Sequence, residues 1–349
     1  MAAVKPGDGV LGRWRSRAKA HLRPLLQFAV SAGVTRACAR HAVGALGKDR
    51  PRAAQELLQL VLEIASPEEV HAIYSWVRET EERDPRSLEY AVQNLGRARG
   101  LIERHGRGLE DARILELGPG YSLALGLLLH AFGARSYVAV DLFPIAVDDA
   151  RFYRDLRRRL ESGRGLPLGP ARDRVLARFD AATDLRGERA ELGGAVRLLH
   201  PVDAARLPFA DGSLDVVYSN AALEHVADPE AVLRESARVL APDGLALHQV
   251  DFRDHRPGHG PWDFLTVGDE AWERRWAGDF NYTNRRRAGW FLRALAASGF
   301  AEVRIEEAER GVPPAGLRAR LAPGFKSLSD DDLHVTSALF IARRRPGPS

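Results

Sequence analysis

The alternation of short apolar runs with helical segments after residue 108 constrains the fold of this chain more than any other feature. Five such runs of four to six residues recur, at residues 113–117, 136–140, 196–199, 214–219 and 245–250. Short apolar runs separated by helices are typical of strands in a parallel sheet covered by helices. Two later runs, at residues 302–305 and 335–342, are joined without an obvious crossover helix. We therefore predict an α/β fold with a doubly wound sheet of about seven strands that ends in an antiparallel pair.

Residues 51–105 show a different pattern, in which apolar side chains recur three or four positions apart. This spacing predicts helices of a bundle or cap. Ser66 and Pro67 mark one helix start, because Ser66 can accept a hydrogen bond from the amide of Glu69 and Pro67 fills a first-turn position.

The change of pattern divides the chain into two regions. We predict a basic, mainly helical region over residues 1–108 and an α/β domain over residues 109–345. Within that domain, residues 163–194 form an Arg-rich stretch longer than a crossover needs, so we expect an insertion there. An aromatic-rich segment at about residues 255–295 predicts a cap.

The charge of the chain is concentrated at its N-terminal end. Residues 1–50 hold ten Lys or Arg against two Asp, an excess of +8 in a chain whose formal net charge is +4. Such a segment could touch an anionic membrane surface peripherally. Arginine outnumbers lysine throughout, which indicates a compositional bias rather than a phosphate-binding surface, so we expect no nucleic-acid partner.

Cysteine content and hydropathy bear on the compartment. The single cysteine, Cys38, cannot form an internal disulfide. The chain has no stretch of eighteen apolar residues that lacks a charged side chain, as a membrane-spanning helix would need. A secretory signal is also not expected, because Gln27 interrupts the apolar stretch and Arg36 and Arg40 follow it. These observations predict a cytoplasmic protein without a membrane-spanning helix.

The strongest local signal is a glycine turn after the first predicted strand, in the sequence ILELGPGYS at residues 114–122. Gly118 and Gly120 allow the backbone to pass close to a ligand, and the helix expected over residues 123–132 presents free amides there. The turn does not fit the dinucleotide pattern, because Leu123 stands where the third glycine would be. The two glycines could instead serve only a tight strand-to-helix turn.

Two aspartates follow at positions that suit a nucleotide-like ligand. Asp141 ends the second predicted strand about twenty residues after the turn, where a carboxylate can accept from both hydroxyls of a ribose. Asp203 could hold an exocyclic amine. The alternatives are a helix cap for Asp141 and a loop turn for Asp203.

These segments, together with LEHV at residues 223–226, DP at 228–229 and RVLAPDG at 238–244, resemble the class I S-adenosylmethionine-dependent methyltransferases, particularly their small-molecule branch. The resemblance covers roughly residues 110–250. It implies a Rossmann-like, doubly wound, seven-stranded sheet with an antiparallel last strand, and S-adenosylmethionine as the cofactor. The cofactor-binding positions that it implies are Glu116, Gly118, Gly120, Tyr121, Asp141, Leu142, Asp203, Ala204 and Asn220.

The resemblance also implies a role for several of these residues. Glu116 and the two glycines would line the methionine end, and Asp141 would hold the ribose. Asp203 with Ala204 would meet the adenine, and Asn220 would lie under the sulfonium.

Methyl transfer requires little acid–base chemistry, because the sulfonium is already activated and a base is needed only when the acceptor arrives protonated. His225 is the first candidate base, although many members of the family use this histidine to shape a loop. Asp251 and His255 follow the fifth predicted strand, where such folds place the rim of the active site. We expect no metal, because Ala221 replaces the first glutamate of the family's Glu-x-x-Glu-His run.

The segment after residue 255 bears on the acceptor. Four of the six tryptophans lie within residues 262–290, either as a lid over a substrate pocket or in a cap packed on the N-terminal helices. Asn284-Arg285-Arg286-Arg287 could bind an acidic acceptor or begin a solvated helix. A looser likeness of this part to methyltransferases of bacterial glycan and natural-product pathways favours a sugar or similar hydroxyl acceptor.

We therefore predict a methyltransferase that moves a methyl group from S-adenosylmethionine to an oxygen of a small molecule, with a glycan-pathway intermediate as one acceptor class. Nitrogen and carbon acceptors stay open. One alternative is a nicotinamide-dependent oxidoreductase, which Leu123 disfavours. Another is a catalytically silent methyltransferase-like subunit that binds a partner, and the presence of all the expected cofactor residues argues against it.

Overall fold

The computed structural model describes residues 85–106, 108–120, 122–142, 146, 150–166, 168–187, 189–255, 259–276 and 282–345. The predicted basic segment, the helix start at Ser66 and Cys38 all lie outside the described residues, as does Tyr121. Thr80–Ser349 form one compact unit. The predicted division of the chain at residue 108 stays a prediction.

A seven-stranded sheet and a separate two-stranded hairpin contain all the strands of the described residues. The strands in chain order are β1 (Arg113–Leu117), β2 (Ser136–Val140), β3 (Thr183–Asp184), β4 (Glu191–Leu192), β5 (Val196–Leu199), β6 (Leu214–Asn220), β7 (Leu240–Asp251), β8 (Phe300–Arg310) and β9 (Val335–Arg344). The large sheet has the order β5-β2-β1-β6-β7-β9-β8, and β3 pairs with β4. Strand β9 pairs antiparallel with both β7 and β8 and runs opposite to the other six strands of the large sheet. The predicted sheet, including its antiparallel last strand, is confirmed.

Helices cover both faces of the sheet. They are α1 (Pro85–Arg104), α2 (Ala124–Ala131), α3 (Ala150–Glu161), α4 (Arg172–Ala181), α5 (Pro229–Val239), α6 (Asp269–Trp276), α7 (Ala288–Ala297), α8 (Leu317–Arg320) and α9 (Asp330–His334). Helix α5 begins as its sequence directs, because the Asp228 carboxylate accepts from the amide of Ala231 at 2.9 Å and Pro229 fills the first turn. Within the described residues, no helix has the length and apolar character needed to cross a membrane.

Each face of the sheet has its own apolar core. Helices α1 to α4 pack on one face around side chains such as Leu127, Tyr137 and Phe179. Helices α5 and α7 pack on the other face, with Leu233 and Phe291 in the same cluster as residues of β1, β6 and β9. Because helices bury both faces of the sheet, successive side chains of a strand are all buried, and the strands are therefore continuous apolar runs in the sequence.

The stretch predicted as an insertion contains α4 and the β3–β4 hairpin. Val175, Leu176 and Phe179 of α4 are buried in the same core as α2. Helix α4 is therefore an element of the core layer, and Leu192 of β4 also packs against this core.

Helix α1 is also part of that core. Its apolar stripe, of which Leu95, Ala98 and Ile102 are each 1% exposed, belongs to the cluster that contains Ile114 of β1. The helical period predicted for residues 51–105 is confirmed over Pro85–Arg104, and residues 51–84 lie outside the described residues. The helix packs against the sheet.

Leu95→Ala tests this packing. We expect the free energy of unfolding to fall by about 2–4 kcal/mol, because the substitution leaves a cavity under α1. Urea denaturation would measure the change, with Gln93→Ala, an exposed position of the same helix, as the control that changes stability little. Equal stability of the two variants would contradict the packing of α1 on the sheet.

Candidate active site

The predicted cofactor residues that the structure describes lie at or after the carboxyl ends of four neighbouring parallel strands, β5, β2, β1 and β6. Leu117 of β1 pairs with Val140 of β2 on one side and with Ser219 of β6 on the other, so these strands end side by side. The chain order of the sheet changes direction between β1 and β6. Ligands of open α/β sheets bind at such a point, outside the carboxyl ends of the strands.

The glycine turn between β1 and α2 has the backbone that its sequence predicted. Gly118 and Gly120 have φ angles of +65° and +64°, which favour glycine. A Cβ on Gly118 would stand 2.9 Å from the Cβ of Ala222, whereas a Cβ on Gly120 would meet nothing within 4 Å. Gly118 is therefore required by close packing of the turn against the segment after β6, and Gly120 borders open space.

Glu116 reaches this edge from inside β1. Its side chain lies on the face of the sheet that α1 and α2 cover, and the residue is only 5% exposed. Burial raises the pKa of its carboxyl to about 8. A buried carboxyl with such a shift, next to a glycine turn, is a functional-site candidate on physical grounds.

Asp141 and Leu142 follow β2 directly. The Asp141 amide donates to the carbonyl of Leu199 at 3.2 Å, and its carbonyl accepts from the amide of Val202 at 2.9 Å, so the backbone is held on both sides. Leu142 is 55% exposed, which is unusual for a leucine at the end of a buried strand. Both residues lie beside the glycine turn at the ligand edge.

Asp203 and Ala204 lie in the segment after β5. The Asp203 carboxylate accepts from the amide of Ala205 at 2.9 Å, and its carbonyl accepts from the amide of Arg206 at 2.8 Å. These are the bonds of a turn stabilised by an aspartate, the alternative that the sequence left open. Asp203 is exposed and Ala204 is half-buried.

Asn220 ends β6 and makes a contact that the sequence did not indicate. Its side-chain nitrogen donates to the hydroxyl of Tyr90 on α1 at 2.5 Å, across 130 residues of sequence. Ala221, the next residue, has a φ of +51° and donates its amide to the carbonyl of Gln249 at 3.0 Å. The chain therefore turns sharply over the ends of β6 and β7.

His225, Asp251 and His255 come together at the same edge, beyond Asn220. The rings of His225 and His255 lie 5.0 Å apart between centroids. The Nε2 atom of His255 is 3.5 Å from Oδ2 of Asp251, which Arg253 also contacts, with its Nη2 atom at 2.6 Å. Nδ1 of His225 donates to the carbonyl of Tyr282 at 2.8 Å, because a carbonyl can only accept. Nε2 of His225 is then the nitrogen that can accept a proton.

These contacts divide the protonation states of the two histidines. Burial is the main cause that lowers the pKa of His225, and the nearby charge of His255 lowers it further. The hydrogen bond to Asp251 raises the pKa of His255. Although burial opposes it, hydrogen bonds from His255 and Arg253 hold the pKa of Asp251 far below its usual range. Near neutral pH the cluster therefore holds the neutral imidazole of His225 beside the ion pair of Asp251 and Arg253.

Glu224 is a site residue that the sequence reasoning missed. It is 3% exposed, its Oε1 accepts from the amide of Asp251 at 3.2 Å, and its Oε2 has no hydrogen-bond partner among the described atoms. Burial raises the pKa of this carboxyl to about 8. The signal in the sequence is its place directly before His225 after a buried strand. In the part of the chain that the structure describes, no three His, Cys, Asp or Glu side chains are grouped to hold a metal ion.

Comparison with known proteins agrees with this geometry. The family described as "Methyltransferase domain" matches residues 178–248, which span α4 to β7. This chain contains a class I methyltransferase domain. The cofactor of the domain is S-adenosylmethionine.

Curated relatives of the methyltransferase domain cover only part of the chain. A malonyl-[acyl-carrier protein] O-methyltransferase of Laribacter hongkongensis is 32% identical over 136 residues, which are 39% of this chain and 36% of that protein. A protein of the same description from Coxiella burnetii is 31% identical over 45% of this chain and 62% of its own length. The chain thus spans less than two thirds of these relatives. A solved S-adenosylmethionine-dependent methyltransferase of Mesorhizobium loti is 21% identical over 70% of this chain and 96% of its own, with a TM-score of 0.40.

The arginine run at residues 285–287 has a structural role at two of its positions. Arg285 is 5% exposed, stacks 4.8 Å from the rings of both Trp272 and Phe325, and donates to two backbone carbonyls. Arg287 is 2% exposed and donates to the carbonyls of Asp332, Phe252 and Val335, and burial lowers its pKa to about 10. The expected solvated helix start is wrong for these two side chains, and neither presents its charge to an acceptor.

The aromatic-rich segment at about residues 255–295 contributes to a third core. Trp262, Phe264, Trp272 and Tyr282 are buried together with apolar side chains of α8 and α9. Trp290 and Phe291 instead join the core under α7. Three of the four tryptophans that the structure describes, Trp262, Trp272 and Trp276, therefore pack in a small cap subdomain made of two distant segments, and Tyr282 connects this subdomain to His225.

Glu116→Gln tests the burial of the carboxyl at the cofactor edge. Burial raises the pKa of Glu116 in the folded state to about 8, above its ordinary value of 4.5. The folded state therefore holds the proton more tightly, and the stability of the wild type falls as pH rises from about 4.5 to 8. We expect Glu116→Gln, which imitates the protonated form, to be more stable than the wild type by a margin that grows over this range. Thermal unfolding at pH 5 and pH 8.5 would measure it, and a constant margin would contradict the shift.

Proposed function

We propose that this protein transfers a methyl group from S-adenosylmethionine to an oxygen of a small molecule, with a sugar or glycan-pathway intermediate as the acceptor class to examine first. The observation that carries the oxygen acceptor is the neutral imidazole of His225 at the edge of the cofactor site. A hydroxyl acceptor arrives protonated and needs such a base. The two curated relatives described above are O-methyltransferases by name, which supports oxygen as the acceptor atom.

The residues at the edge of the sheet suit the cofactor chemically. The Asp141 carboxylate can accept from two ribose hydroxyls, and Gly120 borders space that a ligand can approach. The Glu116 carboxyl can pair with the cationic methionine end once it loses its proton. Asp203 lies after β5, where its carboxylate can accept a hydrogen bond from the adenine amine. Leu142 offers an exposed apolar surface beside Asp141.

When bound, S-adenosylmethionine would supply a methyl group on a positively charged sulfur. The sulfur would keep the electron pair of the carbon–sulfur bond that breaks during transfer. Nε2 of His225 takes the proton of the acceptor hydroxyl while the acceptor oxygen forms its new bond to the methyl carbon. Tyr282 holds the opposite nitrogen of the ring, which fixes the tautomer. Burial is the main cause that lowers the pKa of His225, so the base is deprotonated at neutral pH, and the hydrogen bond to Asp251 raises the pKa of the neighbouring His255.

The alternatives are less well supported. A nicotinamide-dependent oxidoreductase does not fit the methyltransferase-domain match or Leu123 in the glycine turn. A silent binding subunit has no need of a pH-tuned histidine cluster beside an intact cofactor edge. We also propose a cytoplasmic location. Peripheral membrane contact through residues 1–50 is a further proposal from the sequence, because these residues lie outside the part of the chain that the structure describes.

Calorimetric titration of the purified chain with S-adenosylmethionine and its demethylated product tests the cofactor site. We expect Asp141→Ala to weaken binding of both by about 1.5–3 kcal/mol, the contribution of hydrogen bonds to a charged group. Asp173→Ala, an exposed carboxylate of α4, is the control that binds like the wild type. Unchanged affinity in a folded Asp141→Ala variant would remove this residue from the site.

His225→Asn tests the base. With the first hydroxyl acceptor found in a screen of sugars, we expect kcat to fall by about 10²–10⁴-fold while cofactor affinity is kept. In the wild type, kcat/KM should rise with pH through a pKa below 6.5 and then level off, because the base acts only when deprotonated. A pH profile with no such limb would exclude His225 as the base.

A further inference from the structure

Tyr90 of α1 presents an exposed aromatic ring beside the cofactor edge. Its neighbours Ala91 and Val92 are 5% and 4% exposed, whereas Tyr90 is 55% exposed. Its hydroxyl is nevertheless fixed, because it accepts from Nδ2 of Asn220 at 2.5 Å. A large aromatic side chain that is exposed and yet anchored at one end is suited to contact a ligand.

Helix α1 holds Tyr90 in place. Arg97 follows Tyr90 by seven residues, about two helical turns, and so projects from the same side of the helix. Its Nη2 atom donates to Oε1 of Gln249 on β7 at 2.6 Å and to Oε2 of Glu307 on β8 at 2.7 Å. Together with the buried stripe of α1, these bonds tie the helix across the ends of the strands. The position of Tyr90 is therefore set by the sheet.

The layout of the sheet places the reacting methyl group near Tyr90. The predicted cofactor residues follow β1 and β2, and the histidine cluster follows β6 and β7. Strand β6 stands between β1 and β7. A methyl group that passes from the cofactor to a base-activated acceptor must therefore lie at the carboxyl end of β6, where Asn220 holds the hydroxyl of Tyr90.

The ring of Tyr90 is the group at this end of β6 that favours a cation. Burial is the largest cause that raises the pKa of Tyr218, and interactions with Glu116 and Tyr90 raise it further. Glu116, Tyr90 and Tyr218 are thus close enough to interact. Arg97, the cation that opposes them, has its charge taken up by Glu307. The face of an aromatic ring attracts a positive charge within about 6 Å of its centroid.

We propose that Tyr90 is a cofactor-contacting residue: its hydroxyl fixes the amide of Asn220, and its exposed ring face binds the positively charged sulfur of S-adenosylmethionine. This proposal rests on the proposed function. It assigns a part of the methyl-transfer site to the helix that precedes the first strand, outside the segments that carried the resemblance.

The test compares a charged ligand with a neutral one. S-adenosylmethionine carries the positive sulfur, and its demethylated product does not, so calorimetry with both measures the contribution of the charge. We expect Tyr90→Leu to weaken the binding of S-adenosylmethionine more than that of the product, so that the ratio of the two Kd values shifts by about 3–30-fold. Tyr90→Phe keeps the ring and should keep the ratio. Gln93→Leu, exposed on the same helix, should leave both Kd values unchanged.

Equal weakening of both ligands in Tyr90→Leu, or no change in either, would overturn the proposal, because a packing role does not distinguish them. If Tyr90→Leu fails to fold, Tyr90→Trp replaces it. We expect this variant to shift the ratio of the two Kd values in favour of S-adenosylmethionine, and an unchanged ratio would overturn the proposal. Wild-type protein that binds neither ligand would overturn the cofactor assignment as well. Binding of both ligands without methyl transfer to any acceptor would contradict the proposed function alone, since the ratio still reports on Tyr90.

Discussion

The parallel pairing of β1 with both β2 and β6 is the constraint on which the rest of the site depends. Parallel strands that pair in register end at one edge, so Glu116, Asp141 and Asn220 become neighbours although they are far apart in sequence. The pairing holds only because helices bury both faces of these strands. Any change that separates β1 from β6 would therefore remove the cofactor edge and the histidine cluster together.

Charge at this edge is arranged in two different ways. Glu116 and Glu224 are both buried, and burial raises the pKa of each carboxyl to about 8. Asp251, by contrast, stays ionised through Arg253 and His255. Buried carboxyls of the first kind cost stability and are typical of functional sites. They also give the site a means of responding to a cation, since a bound positive charge favours their ionised form.

Much of the fold followed from local patterns. The bounds of β1, β2 and β5 are those of the apolar runs, and the glycine turn has the positive φ angles that its residues suggested. His225, Asp251 and His255 were identified in two separate segments, and the structure brings them together. The roles of Arg285 and Arg287 could not be predicted, because an arginine that donates to buried carbonyls has the same sequence as one that meets solvent. Glu224 was missed for the same reason, since its burial depends on the segments that fold over it.

The sequence by itself determined the order of strands and helices, the glycine turn and the identity of the groups that can bind or move protons. These depend on periodicity and on the backbone freedom of single residues, which are local properties. Only the tertiary structure decided which groups meet: Tyr90 with Asn220, Tyr282 with His225, and the aromatic cap with the segment before β9. Such contacts join residues tens to more than a hundred positions apart. They are fixed by the packing of whole layers, which no local pattern in the chain records.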